Sequence, residues 1–283
     1  MGGYRMKLGI DAGNYKVKIC GEVGLLDFIS AIGEARQINL HQIHGQDDMV
    51  FEYKGEIGFA GSLALYESEF GGSLMGDTKA HNDTKLRVLI GIHRYISLYQ
   101  IDEKEFDIVV GQPISKHNIE EKTRIKEMIK GWHTIVVNGV EKSFHIRNVE
   151  CAAEGVSSFW SNPQSGLVRI LDVGSGTVNY STVLEGRFID KDSDTLPYGV
   201  NTNKSNNLQA LSRGIATHVL KKWNSSDKTF VVGGIAEQIL PHLKGYFSNV
   251  EVLYPIYNQQ YVSPIFANSI AFYIIGVNIY EGS

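Results

Sequence analysis

The feature that most constrains this chain is a device it carries twice. "LGIDAGNYKVKI" at residues 8–19 and "LDVGSGTVNYSTV" at 171–183 each run apolar residues into an Asp and place a Gly two residues later. Each then passes through a polar turn and resumes alternating apolar residues. The two Asp residues, Asp11 and Asp172, stand about 160 positions apart. Period-two alternation on both sides of a short polar turn predicts a strand–turn–strand hairpin in each place. An Asp that ends a buried strand just before a Gly-containing turn suits one task in particular. Gly13, Gly174 and Gly176 admit φ > 0 and let backbone N–H groups come close to an anion, so each turn can cradle phosphate oxygens. The carboxylate serves Mg²⁺, often through metal-bound waters, because that ion dehydrates reluctantly. A single Asp-x-Gly is a commonplace turn signature. Two of them on strands of one design are better explained as a pair of turns gripping one polyphosphate from both sides. No G-x-x-x-x-G-K-[ST] loop occurs in the chain.

The rest of the chain repeats this theme. In the first half, "VFEYKGEIGFAG" reads as a hairpin turning at Lys54-Gly55, and "HTIVVNGVEKSFHIRNV" as another turning at Asn138-Gly139. "NDTKLRVLIGIHRYISLYQ" spaces Leu86, Leu89, Ile90, His93 and Ile96 as one face of a helix. "EFDIVVGQP" is a buried strand ended by Gly111 and Pro113, and "NIEEKTRIKEMIKGW" a charged amphipathic helix stopped by Gly131. In the second half, a Glu-Gly turn joins two strands after the Asp172 hairpin. "NNLQALSRGIATHVLKKW" then lines Leu208, Leu211, Ile215, Val219 and Trp223 along one stripe. "KTFVVGG" ends a strand on paired glycines, "NVEVLY" is a strand, and "SPIFANSIAFYIIGVNIY" an apolar C-terminal helix. Two halves that each open on a β-ribbon and close on helices imply an internal duplication, carried by pattern rather than by identity.

Composition sets outer limits. At 283 residues, 43% hydrophobic and 20% charged, the chain can bury a large core in one or two domains. A net charge of −4 argues against a general nucleic-acid binder, which is usually basic, so no direct nucleic-acid contact is expected. Cys20 and Cys151 are the only cysteines, which points to a reducing, cytoplasmic setting. No window reaches membrane-spanning length, and "MGGYR" reads as an extension ahead of the first strand.

With these segments in order, the chain resembles the actin-like ATPase superfamily of actin, sugar kinases and heat-shock chaperones. Five signatures carry the likeness across residues 8 to 276. They are the two phosphate hairpins, a connecting segment "NVECAAEGVSSFW", the strand and glycine pair "FVVGGIAEQI", and the terminal helix "SPIFANSIAFYIIG". The last is similar to that of bacterial plasmid-segregation actins of the ParM type, and "IVVGQPISKHN" resembles their "GLP" strand end. Only about 60 residues separate Asp172 from Gly233, where ParM-like proteins place a whole subdomain. The resemblance is therefore closest to AlfA-like segregation actins, which lack it.

This likeness implies an α/β actin-like fold of two related domains around a nucleotide cleft, the second reduced. Residues 6–150 with 265–283 would form the first domain, and 151–264 the second. It implies ATP or GTP with Mg²⁺ as cofactors and Asp11 and Asp172 on the metal. Gly13, Asn14, Lys18, Gly174, Ser175, Gly176 and Thr177 fall on the phosphates, with Lys16 as a rival to Lys18. Gly233 and Gly234 form a backbone platform under the sugar or base. Glu150, at the expected start of a connecting helix, is the candidate base or water-orienting group, with Glu154 as competitor and a helix-capping carboxylate as the alternative. Tyr198 or a neighbouring subunit could complete the adenine pocket where the subdomain is missing. Cys151 reads as a small buried hydrophobe, and His41 and His44 as surface residues rather than ligands.

The function implied is a polymerising ATPase that assembles head to tail with copies of itself and moves plasmid DNA through a DNA-binding adaptor. Two other readings remain open. One is a small-molecule kinase of the same superfamily, for which the chain offers no clear acceptor motif. The other is a scaffold that binds nucleotide only to assemble.

Overall fold

A computed structural model describes residues 5–39, 45–72, 78–202 and 207–280, so His41 and His44 lie outside the described residues. The chain divides into two compact units. One comprises Met1–Val110, Ile119–Cys151 and Gly276–Ser283, and the other Gly111–Asn118 and Ala152–Ile275.

The first unit is organised on a nine-stranded sheet. Its strands are β1 (Met6–Ala12), β2 (Lys16–Gly21), β3 (Gly24–Ile29), β4 (Ile32–Glu34), β5 (Asp48–Tyr53), β6 (Glu56–Gly61), β7 (Glu105–Gln112), β8 (Gly131–Val137) and β9 (Val140–Ala153). They lie in the order β3-β2-β1-β7-β9-β8-β5-β6-β4. β1 runs antiparallel to β2, with Asp11 opposite Lys18, and parallel to β7, with Ile10 opposite Val110. A short helix, α1 (Ser62–Glu67), follows β6. The long helix α2 (Asn82–Tyr99) buries Leu86, Leu89, Ile90, His93 and Ile96, the stripe its sequence spacing predicts, and Val88, Ile92 and Tyr95 besides. α3 (Ile119–Ile129) adds Ile125 and Ile129 to the same core. β3, β4 and α1 are elements the sequence reading does not contain.

The second unit repeats the plan on a smaller scale. β10 (Leu167–Val173), β11 (Val178–Leu184), β12 (Arg187–Phe188), β13 (Asp194–Leu196), β14 (Thr229–Val232) and β15 (Val250–Val252) form its sheet. The order is β12-β11-β10-β14-β15, with β13 also pairing β11. Again the Asp-bearing strand is antiparallel to the strand after its turn and parallel to a later one. Asp172 faces Asn179 where Asp11 faces Lys18, each partner seven residues on. Alternate residues of β10 enter opposite cores, Ile170 with Phe159 and Phe230, Leu171 with Ile215 and Ile239. One face is covered by α4 (Leu208–Val219) and α5 (Ala236–Leu243), and the chain ends in α6 (Ala267–Tyr280). Leu211, Ile215, Val219 and Trp223 are buried along one stripe, as their spacing predicts, with Leu208 packed at its end.

Three tight turns have the backbone that hairpins of this twist demand. Lys54-Gly55, Asn138-Gly139 and Glu185-Gly186 all place both central residues at positive φ. One expectation is corrected. "NVECAAEGVSSFW" does not begin a helix at Glu150: β9 continues through Ala153, and only a 3₁₀ turn, Val156–Ser161, follows. Gly155 at φ 77° breaks the strand, and Asn162-Pro163 closes the segment before an α-helix can establish itself.

Candidate functional site

The Asp11 turn is a place where cations converge. Asp11 is 6% exposed at the end of β1. Lys18 on β2 reaches back across the hairpin and donates to its Oδ2 at 2.9 Å. Lys79, just ahead of α2, donates to the Ala12 carbonyl at 3.3 Å and places its ammonium 3.9 Å from Asp11 Oδ1. Burial pushes the Asp11 carboxyl up, but Lys18 and Lys79 together outweigh it and hold the group below the ordinary carboxylate value. Lys16, the rival to Lys18, is bound instead to Asp27 on β3. Asn14 accepts from Arg87 Nη1 at 3.4 Å, and Arg87, 1% exposed, also donates to the Ser30 carbonyl at 2.8 Å. Gly13 has no room for a side chain: a Cβ there would lie 2.8 Å from the Lys16 carbonyl and 2.9 Å from Lys18 Nζ. Asp11, Gly13, Asn14 and Lys18 thus share one turn, with Lys79 and Arg87 added to it.

The Asp172 turn is arranged differently. Asp172, 7% exposed, accepts from Asn268 Nδ2 at 2.9 Å, and Asn268 Oδ1 in turn accepts from the Gly155 N–H at 3.1 Å. Gly155 packs directly on the hairpin, since a Cβ there would be 2.9 Å from Asn179 Cβ and 3.3 Å from Asp172 Cβ. The turn itself is braced from outside. Gly174, Ser175 and Gly176 give their carbonyls to Val200 N, Asn201 N and the Thr202 hydroxyl, at 3.1, 2.8 and 3.5 Å. Gly174 N–H closes the turn on the Thr177 carbonyl at 3.0 Å. Among the described residues no hydrogen bond engages the Ser175 or Gly176 N–H. With its carbonyls taken by that brace, the turn leaves the Ser175 and Gly176 N–H groups as the donors on offer among the described residues. Gly233, at φ 105°, comes within 3.4 Å of Asp172 Oδ1 when given a Cβ. A Cβ at Gly234 would meet only Ile265, at 3.7 Å. Tyr198 hydrogen-bonds His218 Nδ1 at 3.1 Å.

The two candidate carboxylates occupy different surroundings. Glu150 lies on β9, its side chain 38% exposed, and binds Lys126 of α3 at 2.6 Å. It also faces Tyr280, whose hydroxyl donates to the Ile108 carbonyl at 3.4 Å. Ile108 pairs with Leu8, three residues short of Asp11, or about 10 Å along the strand. Glu154, by contrast, is 7% exposed and immediately precedes Gly155, the residue packed on Asp172. Its N–H donates to the Gln112 carbonyl at 2.8 Å, and its Oε1 would be 2.9 Å from a Cβ at Gly111. Cys151 is buried, and burial pushes its thiol up to about 12, as for an inert small hydrophobe.

Gln112 introduces a tension. It is fully buried at the end of β7, and neither its Oε1 nor its Nε2 has a partner among the described residues. A buried polar group without a partner costs about 1–3 kcal/mol. Gln112→Leu is therefore expected to stabilise the ligand-free protein by about 1–3 kcal/mol, raising Tm by several degrees in a thermal melt. A lowered Tm would show instead that the amide is satisfied in solution.

Lys79, Arg87, Asn268 and Gly155 are absent from the sequence reading. Of these Asn268 had a readable signal, and so did Asn179, a further partner at the second turn. Asn268-Ser269 is the polar break at the start of an otherwise apolar helix, and Asn179 stands at the same offset from Asp172 as Lys18 from Asp11.

Among the described residues, no three His, Cys, Asp or Glu gather as a metal-ligand cluster, and no helix is long and apolar enough to cross a membrane. Single buried carboxylates beside anion-accepting turns suit Mg²⁺ held by one or two carboxylates, waters and ligand phosphates.

Residues 9–156, just over half of the chain, match the family described as actin like proteins N terminal domain. No protein of curated function matches the chain. The AlfA filament of the Bacillus subtilis plasmid pLS32 has a TM-score of 0.76 at 18% identity, over 97% of this chain and 98% of that one. A 15-stranded ParM filament from Clostridium botulinum has a TM-score of 0.78 at 17% identity, over 97% and 99%. Ta0583, an archaeal actin homolog in complex with ADP, has a TM-score of 0.70 at 16% identity, over 98% and 99%. At such identities the likeness establishes a shared fold.

Proposed function

Because the chain belongs to the actin-like proteins, we propose that it is a Mg²⁺-dependent nucleotide-hydrolysing protein that forms filaments and segregates plasmid DNA through a DNA-binding adaptor. The observation that carries this reading is the doubled hairpin, one copy in each unit, each placing a buried Asp one residue before the end of a strand and ahead of a glycine-containing turn. The likeness to the AlfA and ParM filaments, over nearly the whole of both chains, supports the assembly part.

In this reading a bound magnesium nucleotide supplies the phosphoanhydride to be cleaved and the divalent charge. Lys18 and the Gly13 turn bind phosphate oxygens from the first unit. The Ser175 and Gly176 N–H groups are donors to phosphate oxygens likewise. Asp11 and Asp172 are the carboxylates that would serve the Mg²⁺, and Asn268 fixes which way the Asp172 carboxylate points. Gly233 and Gly234 form the sugar or base platform. We assign the water-orienting role to Glu154 rather than Glu150. Glu154 is buried and tied through Gly155 and Asn268 to Asp172, whereas Glu150 is half-exposed and engaged by Lys126.

The two actin-like domains are read as 6–150 with 265–283, and 151–264. One described helix, α4, lies between the Asp172 hairpin strands and β14, which supports a second domain without its outer subdomain. Tyr198, beside α4, is then available to an adenine base. Pelleting and light scattering with ATP and Mg²⁺ test the reading. Sedimenting polymer is expected with nucleotide and none without it. No nucleotide-dependent polymer at any protein concentration would overturn it.

A further inference from the structure

We propose that Lys79 is a second phosphate-binding cation of the Asp11 turn, and that this turn recognises the polyphosphate chain irrespective of the base attached to it. The inference rests on the nucleotide reading above.

Three cationic side chains from three different elements meet at four residues, Asp11–Asn14, that contain one carboxylate. Lys18 comes from β2, Lys79 from the segment ahead of α2, and Arg87 from within α2. Each touches a different part of the turn. Lys18 holds the Asp11 carboxylate, Lys79 the Ala12 carbonyl, and Arg87 the Asn14 side chain. Arg87 Nη2, fully buried, has no partner among the described residues. The Lys79 side chain is only 11% exposed, so its ammonium has been withdrawn from water and fixed at the turn. Keeping a lysine charged in such a place is costly unless anionic groups face it. An ammonium has three donors on a flexible stem, so a phosphate oxygen can take the place of one of its present partners when a ligand binds.

The three cations of this cluster outnumber its one carboxylate, and the Asp11–Asn14 turn carries no aromatic side chain. Arg87 holds the Asn14 side chain through Nη1 and so acts as a positioning residue for the turn. The ligand class that follows is a linear polyphosphate with two or more adjacent phosphates, with or without a nucleoside.

The test uses the full chain and inorganic tripolyphosphate as the probe, in competition with a fluorescent nucleotide. Wild type should bind the nucleotide, and tripolyphosphate should displace it. Lys79→Gln should weaken both ligands by about 10- to 100-fold, as expected for loss of a charge-assisted hydrogen bond. Lys79→Arg should recover most of that loss, and the salt dependence of Kd should be shallower for Lys79→Gln than for wild type. A role confined to folding would leave the salt dependence unchanged and would appear as a lowered Tm in the ligand-free protein. If wild type binds neither ligand, the nucleotide reading itself falls. If it binds nucleotide but tripolyphosphate does not compete, or Lys79→Gln binds both as wild type does, this inference alone is overturned.

Discussion

Glu154→Gln should reduce phosphate release by about 10²- to 10⁴-fold while leaving nucleotide binding and assembly in place. The substitution keeps the size of the side chain and its backbone bond to Gln112, and removes the charge that accepts a proton from an attacking water. Phosphoryl transfer asks little covalent chemistry of a protein, so a lost orienting group appears in turnover far more than in affinity. Glu150→Gln is the matched control. It breaks a partly exposed ion pair with Lys126, of a kind worth at most about 1 kcal/mol, and turnover should stay within about threefold of wild type. Single-turnover phosphate release on the two variants decides between them. If Glu150→Gln is the inactive one, the assignment reverses.

Asp11→Ala should divide binding from turnover in another way. The variant deletes the acceptor of Lys18, whose side chain is 14% exposed, and leaves a mostly buried ammonium unpaired. Removing one partner of a buried pair costs about 3–5 kcal/mol, and partial exposure places this case near the lower bound. Mg²⁺-dependent hydrolysis should fall to background. Metal-free polyphosphate, however, should bind about tenfold tighter or more, because a negative charge beside its site is gone. Stability should also change its dependence on pH. The folded Asp11 carboxyl lies below its ordinary value of 3.8, so its contribution is complete above that value and is lost as pH falls through the lowered one. Wild type should therefore lose stability on acidification below about pH 4 where Asp11→Ala loses less. Denaturant midpoints between pH 3 and pH 7, with isothermal titration of tripolyphosphate in EDTA, supply both measurements. Equal acid sensitivity in the two proteins would refute the salt-linked state of Asp11.

Much of this architecture is written locally and so could be read. The strands flanking Asp11 and Asp172 alternate cleanly, the Asn138-Gly139 and Lys54-Gly55 turns have backbone needs few residues meet, and the stripes of α2 and α4 repeat at helical spacing. The parts that escaped are those set by distant partners. Nothing near Lys79 in sequence indicates that its ammonium is spent on Ala12, and nothing near Arg87 points to Asn14. A helix beginning at Glu150 would make that residue the natural choice. The strand that replaces that helix carries the chain four residues further before it turns, and so brings Glu154, rather than Glu150, to the residue that packs on Asp172. β3 and β4 lack strong turn signals, and their pairing is fixed by neighbours rather than by their own sequence.

The division of the chain has a consequence for the order in which it is made. Neither unit is a continuous stretch: the boundaries fall after Val110, Asn118, Cys151 and Ile275. A ribosome finishes the second unit before it releases the closing segment of the first, Gly276 onwards. That segment brings Gly276 against Val109 and the Tyr280 hydroxyl to the Ile108 carbonyl, contacts that close loops of more than a hundred residues. The unit begun first is thus the one completed last, and no single cut in the chain yields either unit whole.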